Sequence, residues 1–315
     1  FDGFLYLDVA FYNKQVKDDI VSVTVSNTSG YKEAIMNTGN INNYGIEAMV
    51  ELKPIHNNKF TWTSTAVFAK NYNKVISLGG DITSIQIGRA KNDGVFINID
   101  EGQPYGVIKG SVYKRDDNGN IIFDDSGYPM VGDGSTILGV GYHDIITGWT
   151  NRFDIGNFSL SCLLDAKFGG SIYSQTNRWA YSAGKHKNTL NGREDGIVGV
   201  GVKEDGTVND IKIAPENLSS YYGRLATIAE EFVYDASYIK LREISLTYFF
   251  PNKLLSKTAI SRASVSLTGR NLLYLMNKME NISPESHVSS SNVQGLENSG
   301  YPEARTFGLN FNLTF

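Results

Sequence analysis

Residues 306–315 alternate without a break: Phe307, Leu309, Phe311, Leu313 and Phe315 on one side, Thr306, Gly308, Asn310, Asn312 and Thr314 on the other. Period-two alternation is the mark of a strand with one apolar and one polar face, since a helix would repeat its apolar residues every third or fourth position. The pattern returns at 5–14, where Leu5, Leu7, Val9 and Phe11 oppose Tyr6, Asp8, Ala10, Tyr12 and Lys14. At 41–53, Tyr44, Ile46, Ala48, Val50 and Leu52 oppose Gly45, Glu47, Met49, Glu51 and Lys53. At 157–168, Phe158, Leu160, Cys162, Leu164, Ala166 and Phe168 oppose Ser159, Ser161, Leu163, Asp165 and Lys167. Segments 60–70, 144–153, 238–250 and 262–274 read the same way. Two weaker strands are expected at 95–100 and 106–113, around the turn Glu101-Gly102-Gln103-Pro104. Ten strands and little helical periodicity predict an all-β chain.

The connections are of two kinds. Those at 54–58, 154–157 and 251–261 are short or compact. Those at 15–40, 71–94, 114–143, 169–236 and 276–304 are long and rich in Gly, Asn, Asp and Ser. Long and short alternate once the two weak strands are counted. A compact soluble domain rarely keeps five such loops, whereas an outer-membrane barrel has short turns at one rim and long external loops at the other. Short helices are expected inside the longest loop, at 175–184 and 215–225. No apolar run approaches the roughly 18 residues of a membrane helix, but a spanning strand needs only about 10.

The apolar face matters more than the average composition. At 41% apolar and 20% charged residues the chain is not disordered, and a net charge of −4 gives no general pull toward nucleic acid. Aromatics, 12% of the chain, gather near strand ends: Phe60 and Trp62, Trp149, Tyr248-Phe249-Phe250, and Phe315. Such girdles suit a lipid boundary. A soluble β-rich module, carbohydrate-binding for example, alternates in the same way and is the competing reading. The first residue, Phe1, falls in mid-pattern, so neighbouring strands are expected outside the chain.

Little in the sequence points to covalent chemistry. His56, His143, His186 and His287 lack metalloenzyme spacing, and no G-x-S-x-G elbow is present. No catalytic residue, metal site or cofactor is expected. Asp116-Asp117-Asn118-Gly119-Asn120, with Asp124 and Asp125, has only a superficial likeness to a calcium loop, because position six is Ile121 and no Glu closes it. An Asn-Gly turn explains the same residues. The lone Cys162 falls on the apolar face, where packing is its expected role. Glu47, Glu51, Asp165, Lys167 and Arg270 are expected to face a lumen, with mutual pairing weighed against substrate contact. Tyr173, Trp179 and Tyr181 in the longest loop, followed by Tyr221-Tyr222, are candidates for stacking on sugar rings. The alternative is that these rings pack the loop helices against the rim.

Six stretches carry a resemblance. In order they are Gly3-Phe4-Leu5-Tyr6-Leu7-Asp8-Val9-Ala10-Phe11-Tyr12-Asn13-Lys14; Asn37-Thr38-Gly39-Asn40-Ile41-Asn42-Asn43-Tyr44-Gly45-Ile46-Glu47; Gly102-Gln103-Pro104-Tyr105-Gly106; Phe232 to Glu243 with Leu246, Tyr248 and Pro251; Gly269-Arg270-Asn271-Leu272; and Tyr301-Pro302 with Arg305-Thr306-Phe307. Taken together they resemble the C-terminal part of the SusC/RagA class of TonB-dependent outer-membrane transporters of Bacteroidetes. Tyr105 stands where that class has an aliphatic residue, and Ser283-Pro284-Glu285 where it often has D-P-E.

The resemblance implies a transmembrane antiparallel β-barrel of 22 strands, with residues 1–315 forming the last ten and long extracellular loops carrying short helices. The plug, the TonB-contacting segment and the first half of the barrel would lie outside the chain. It implies active import of a nutrient across the outer membrane, a glycan oligosaccharide first and an oligopeptide second. A SusD-like surface lipoprotein would act as lid, and the TonB complex would supply energy. It also implies that the strand ending Phe307, Leu309, Phe311, Leu313 and Phe315 is read by the barrel-assembly machinery, through transient strand pairing. Phe315→Ala is then expected to lower outer-membrane abundance with transport per molecule unchanged; unaltered abundance in quantitative blots of membrane fractions counts against this.

Overall fold

A computed structural model of the chain describes residues 3–18, 20–24, 28, 30–31, 33–37, 39–289 and 291–315. Phe1 and Thr38, used in the expectations above, lie outside them. Eight strands form one antiparallel sheet: β1 (Leu5–Val16), β2 (Asn40–His56), β3 (Phe60–Ser77), β4 (Ile145–Ile155), β5 (Phe158–Phe168), β6 (Tyr238–Phe249), β7 (Arg262–Asn277) and β8 (Thr306–Thr314). Each pairs with its neighbour in sequence, so the sheet is an up-and-down wall.

The wall has eight strands where ten were expected. The two weak strands form instead, as Phe96–Asp100 and Tyr105–Gly110, inside a separate four-stranded sheet with Ser84–Arg89 and Thr136–Val140. Burial gives the reason. Val95, Ile97, Ile99, Val107 and Ile108 are all buried, and the adjacent pair Val107-Ile108 is covered on both faces. A wall strand must instead leave one face for solvent or lipid. The long-and-short alternation survives with eight strands, because 78–144 is one long connection. The other long ones are 17–39, 169–237 and 278–305.

The short connections share one end of the wall. At the β2–β3 turn, Asn57 Oδ1 accepts the N–H of Lys59 and of Phe60, both at 2.9 Å. The β4–β5 turn is two residues long, with Gly156 at φ +57°, a conformation that only a residue without a side chain adopts cheaply.

Register turns the alternation of single strands into continuous rows. Phe153, Leu160, Leu246, Leu267 and Leu309 line up across β4 to β8 on one face. On the other face Ser245 bonds Thr268 at 3.1 Å and Thr247 bonds Ser266 at 2.8 Å. The apolar face carries two aromatic belts. Near the short turns lie Phe60, Trp62, Phe153, Phe158 and Tyr248, with Trp62–Phe153 centroids 5.9 Å apart and Phe158–Tyr248 4.9 Å apart. Near the long loops Tyr44 stacks on Tyr72 at 5.1 Å.

Trp62 and Tyr72 are ten residues apart on β3, or about 33 Å along the strand. Tilted by about 40°, that separation spans about 25 Å, the height of the apolar band of an outer-membrane barrel. Within the band, indole N–H groups find partners on the same face: Trp62 Nε1 donates to Asn151 Oδ1 at 3.0 Å and Trp149 Nε1 to Ser64 Oγ at 2.8 Å. A surface with no water to accept them needs such bonds. Cys162 sits on this face between Asn151 and Ile244. No helix among the described residues is long and apolar enough to cross a membrane, which says nothing of spanning strands.

Three of the four long connections share one core beyond the wall. Val95, Ile97, Ile108, Tyr173, Leu218, Phe232 and Leu296 meet in it. Both loop helices form, α1 (Gln175–Ser182) and α2 (Leu218–Leu225), and Ser174 caps α1 by accepting the Asn177 N–H at 3.0 Å. Loops of this length hold a fixed shape because they bury a core of their own.

Candidate functional site

Charge gathers on the polar face where β5, β6 and β7 approach the long loops. On β6 the pairing slips: Leu163 faces Glu243 and Leu164 faces Leu241, so Arg242 is the extra residue of a β-bulge. The bulge reverses the phase of the strand. Tyr238, Lys240 and Arg242 precede it on the polar face, and Glu243, Ser245 and Thr247 continue that face beyond it. Opposite, on β7, Asn271 takes φ +54° and accepts from Arg242 Nη1 at 3.0 Å. Asn tolerates that left-handed conformation better than most residues.

The cluster is completed from connection 278–305. Glu285 accepts from Tyr238 Oη at 2.9 Å, from Lys240 Nζ at 2.7 Å, and from Arg242 at 3.0 and 2.5 Å. Lys240, only 1% exposed, also pairs with Glu303, and Arg242 pairs with Asp165. Ser283 accepts the Glu285 N–H at 3.1 Å and bonds Tyr274 Oη at 3.0 Å. Ser283 thus fixes the turn that presents Glu285. Burial alone would raise the Glu285 carboxyl, but the bonds from Arg242, Lys240 and Tyr238 outweigh it and hold the group well below the ordinary carboxylate range. Nearby, burial first, with His143 and Lys167 adding to it, lowers His287 to about 4.

A pocket of about 450 Å³ lies at the loop end of β1 to β3. Lys14, Asn43 and Asn73 share one register row, and Asn71, Tyr105 and Gln294 add to the lining. Asn73 Oδ1 accepts the Tyr105 N–H at 2.8 Å, and Asn71 Oδ1 accepts Tyr12 Oη at 2.9 Å. The Gly102-Gln103-Pro104-Tyr105-Gly106 stretch therefore seats a loop on carboxamides of the wall. The lining offers many neutral donors and acceptors and one cation, a surface for polar, uncharged ligands.

The residues singled out from sequence are distributed as follows. Glu47, Glu51, Asp165, Lys167 and Arg270 all lie on the polar face by register. Asp165 joins the cluster, Arg270 pairs with Glu243 at 2.6 Å, and Glu51 pairs with Lys53 at 3.2 Å. Tyr173 and Tyr181, candidate sugar platforms weighed against packing of the loop helices, are 2% and 5% exposed and packed into the loop core; Trp179 keeps an open face. Tyr181 meets Phe232 edge to face at 5.0 Å. Asp116 Oδ1 accepts the N–H groups of Asn118 and Asn120 at 2.9 and 2.8 Å, so its carboxylate is occupied by the turn. Among the described residues no group of three or more His, Cys, Asp or Glu is arranged to hold a metal.

Three of the six sequence stretches, 232–243, 269–272 and 301–307, meet at the Lys240–Arg242 cluster. Sequence reasoning named one member of the site, Asp165, and missed Lys240, Arg242, Glu285 and Glu303. The signal was the adjacent Arg242-Glu243, where two charges in succession mark a break in the alternation.

No family model matches the chain. TonB-dependent receptor P3 of Formosa agariphila is 25% identical over 352 residues, covering all of this chain and 33% of that protein. TonB-dependent receptor SusC of Bacteroides thetaiotaomicron is 24% identical over 322 residues, covering 96% of this chain and 29% of SusC. Among solved structures, the RagAB peptide transporter superposes with a TM-score of 0.74 at 20% identity, over all of this chain and 34% of the transporter chain. The chain spans about a third of the length of the curated relatives it matches. Over its whole length the chain is similar to TonB-dependent receptors, SusC among them, and the wall it builds shares the fold of the RagAB transporter chain.

Proposed function

We propose that the complete protein imports a nutrient oligomer across the outer membrane, driven through TonB, and that residues 1–315 are the C-terminal part of its barrel. One observation carries this reading: a wall with a lipid-facing band between aromatic belts ends, on its polar face, in a rim of folded loops around a carboxamide-lined pocket. The polar face, with Glu47, Glu51, Asp165, Lys167 and Arg270, lines the lumen. A SusD-like lipoprotein caps the loop rim as a lid. The cargo is a glycan oligosaccharide, which the neutral donors and acceptors of the rim pocket suit and against which the open face of Trp179 can stack. An oligopeptide is the second reading, favoured by the likeness to the RagAB peptide transporter.

A deletion strain supplied with single carbon sources tests both. Growth lost on one glycan and restored by the gene supports the first reading. Growth lost only on peptides establishes the second, and unaltered growth on every oligomer rejects both.

A further inference from the structure

A second pocket, of about 350 Å³, opens between connections 78–144 and 169–237. Asp93, Ser111, Ser135, Tyr173, Arg178 and Thr227 line it, and it shares no residue with the rim pocket. Its floor holds an incomplete ion pair. The Asp93 side chain is 4% exposed. Its Oδ2 accepts from Tyr173 Oη at 2.9 Å and from Gln175 Nε2 at 2.7 Å. Its Oδ1 is buried and, among the described residues, has no hydrogen-bond partner. The nearest cation to it is Arg178 Nη1 at 3.4 Å, and Arg178 Nε is already committed to the Ala226 carbonyl at 2.9 Å. A buried carboxylate oxygen without a donor is costly, and such groups in native structures call for an explanation.

The chemistry of the missing partner follows from the pair. One Asp and one Arg leave the pocket with no net charge, so neither an anion nor a cation is selected. The open valences are one strong acceptor beside one strong donor edge. A hydroxyl group satisfies both, donating to Asp93 Oδ1 and accepting from the Arg178 guanidinium, and two neighbouring hydroxyls on a ring do so side by side. The lining also has room: a Cβ built on Gly94 or on Gly134 meets nothing within 4 Å. Tyr173, one of the candidate stacking rings, here positions the carboxylate through its hydroxyl.

We propose that this pocket binds one sugar residue of a neutral glycan through a pair of adjacent hydroxyls held by Asp93 and Arg178. The proposal rests on the glycan reading of the import function and assigns it a site in the loops, apart from the rim pocket.

The test uses the full-length protein in detergent, titrated calorimetrically with neutral hexaoses of glucose, mannose, galactose and xylose, and with inorganic phosphate and a mixed hexapeptide pool for comparison. Uptake of the same labelled hexaoses is followed in cells. Arg178→Gln removes the donor edge, and Gly94→Leu fills the space while leaving the ion pair intact. Asp93→Asn is included but strips a buried pair, so thermal melting accompanies all three. At least one hexaose is expected to bind, with affinity about tenfold or more weaker in Arg178→Gln and Gly94→Leu at unchanged melting temperature, the scale of one lost charge-assisted hydrogen bond. Unchanged affinity in both folded variants overturns the site while glycan uptake continues. Preference for phosphate or peptide, or no hexaose binding, overturns it as well; peptide uptake without hexaose uptake shows that the glycan reading has failed too.

Discussion

Glu285→Ala is expected to release connection 278–305 from the wall. The substitution deletes the acceptor shared by Tyr238, Lys240 and Arg242 and leaves Lys240, 1% exposed, with Glu303 as its one acidic partner among the described residues. Removing one member of a buried ion pair costs about 3–5 kcal/mol, because the remaining charge stays out of water. That loss falls on the docked loop, since the backbone ladder of β5 to β7 makes no use of Glu285. Limited proteolysis of the full protein is expected to cut within 278–305 many times faster in the variant, with the heat-modifiable barrel retained. Glu285→Gln, which still accepts from Tyr238 and Arg242, is expected to lie between. Equal cleavage rates in all three would falsify the clasp.

Acid should open the same clasp in two stages, and the signs follow from the shifts. His287 has a lowered value, about 4 against an ordinary 6.5, so its neutral form stabilises the docked loop. That contribution is complete above pH 6.5 and declines as pH falls from 6.5 toward 4, where the released loop takes up a proton and the docked one does not. Glu285 is held below its ordinary 4.5, so its contribution is complete above 4.5 and is lost only as pH falls through the depressed value. Cleavage within 278–305 is therefore expected to rise already between pH 6.5 and 4, and His287→Gln should remove that first rise and keep the second.

The wall was legible because its constraint is local. Each wall strand advertises its two faces every second residue, and β1, β2, β5 and β8 begin within a residue or two of where alternation begins. What resisted reading was non-local. Tyr105–Gly110 alternates weakly because Val107 and Ile108 are buried on opposite faces, and the buried Ile97–Ile99 face of Phe96–Asp100 packs into the loops instead of joining the wall; a single sequence does not show a covering layer. The cluster joins Asp165, Lys240, Arg242, Glu285 and Glu303, and Glu285 lies 45 residues from Lys240. Asp165, Lys240 and Arg242 share a face by simple alternation, but the bulge at Arg242 carries Glu243 onto the same face, and a bulge interrupts the rule that made the rest readable. Asp93 was silent for the same reason: its partners Tyr173 and Gln175 are 80 and 82 residues away.

The adjacent pair Leu163 and Leu164 offers the sharpest test of which face meets lipid. Leu164 shares a row with Ala66, Trp149 and Leu241, and Ala66 stands four residues from Trp62 and six from Tyr72, well inside the band between the belts. Leu163 points to the other face, opposite Thr150 and Glu243. An arginine at the middle of the lipid face costs about 2–4 kcal/mol. Leu164→Arg should therefore lower the unfolding free energy of the protein in lipid vesicles by that amount, read as a fall in the denaturant midpoint. Leu163→Arg, facing polar neighbours and Glu243, should fold with a midpoint close to that of the unsubstituted protein. A soluble sandwich would also suffer from Leu164→Arg, so Leu164→Phe decides between them. Fluid acyl chains accommodate the larger ring, and the midpoint should hold. A core packed to protein density would lose about 1–3 kcal/mol to the same substitution, and that loss would mean that the apolar rows face protein rather than membrane.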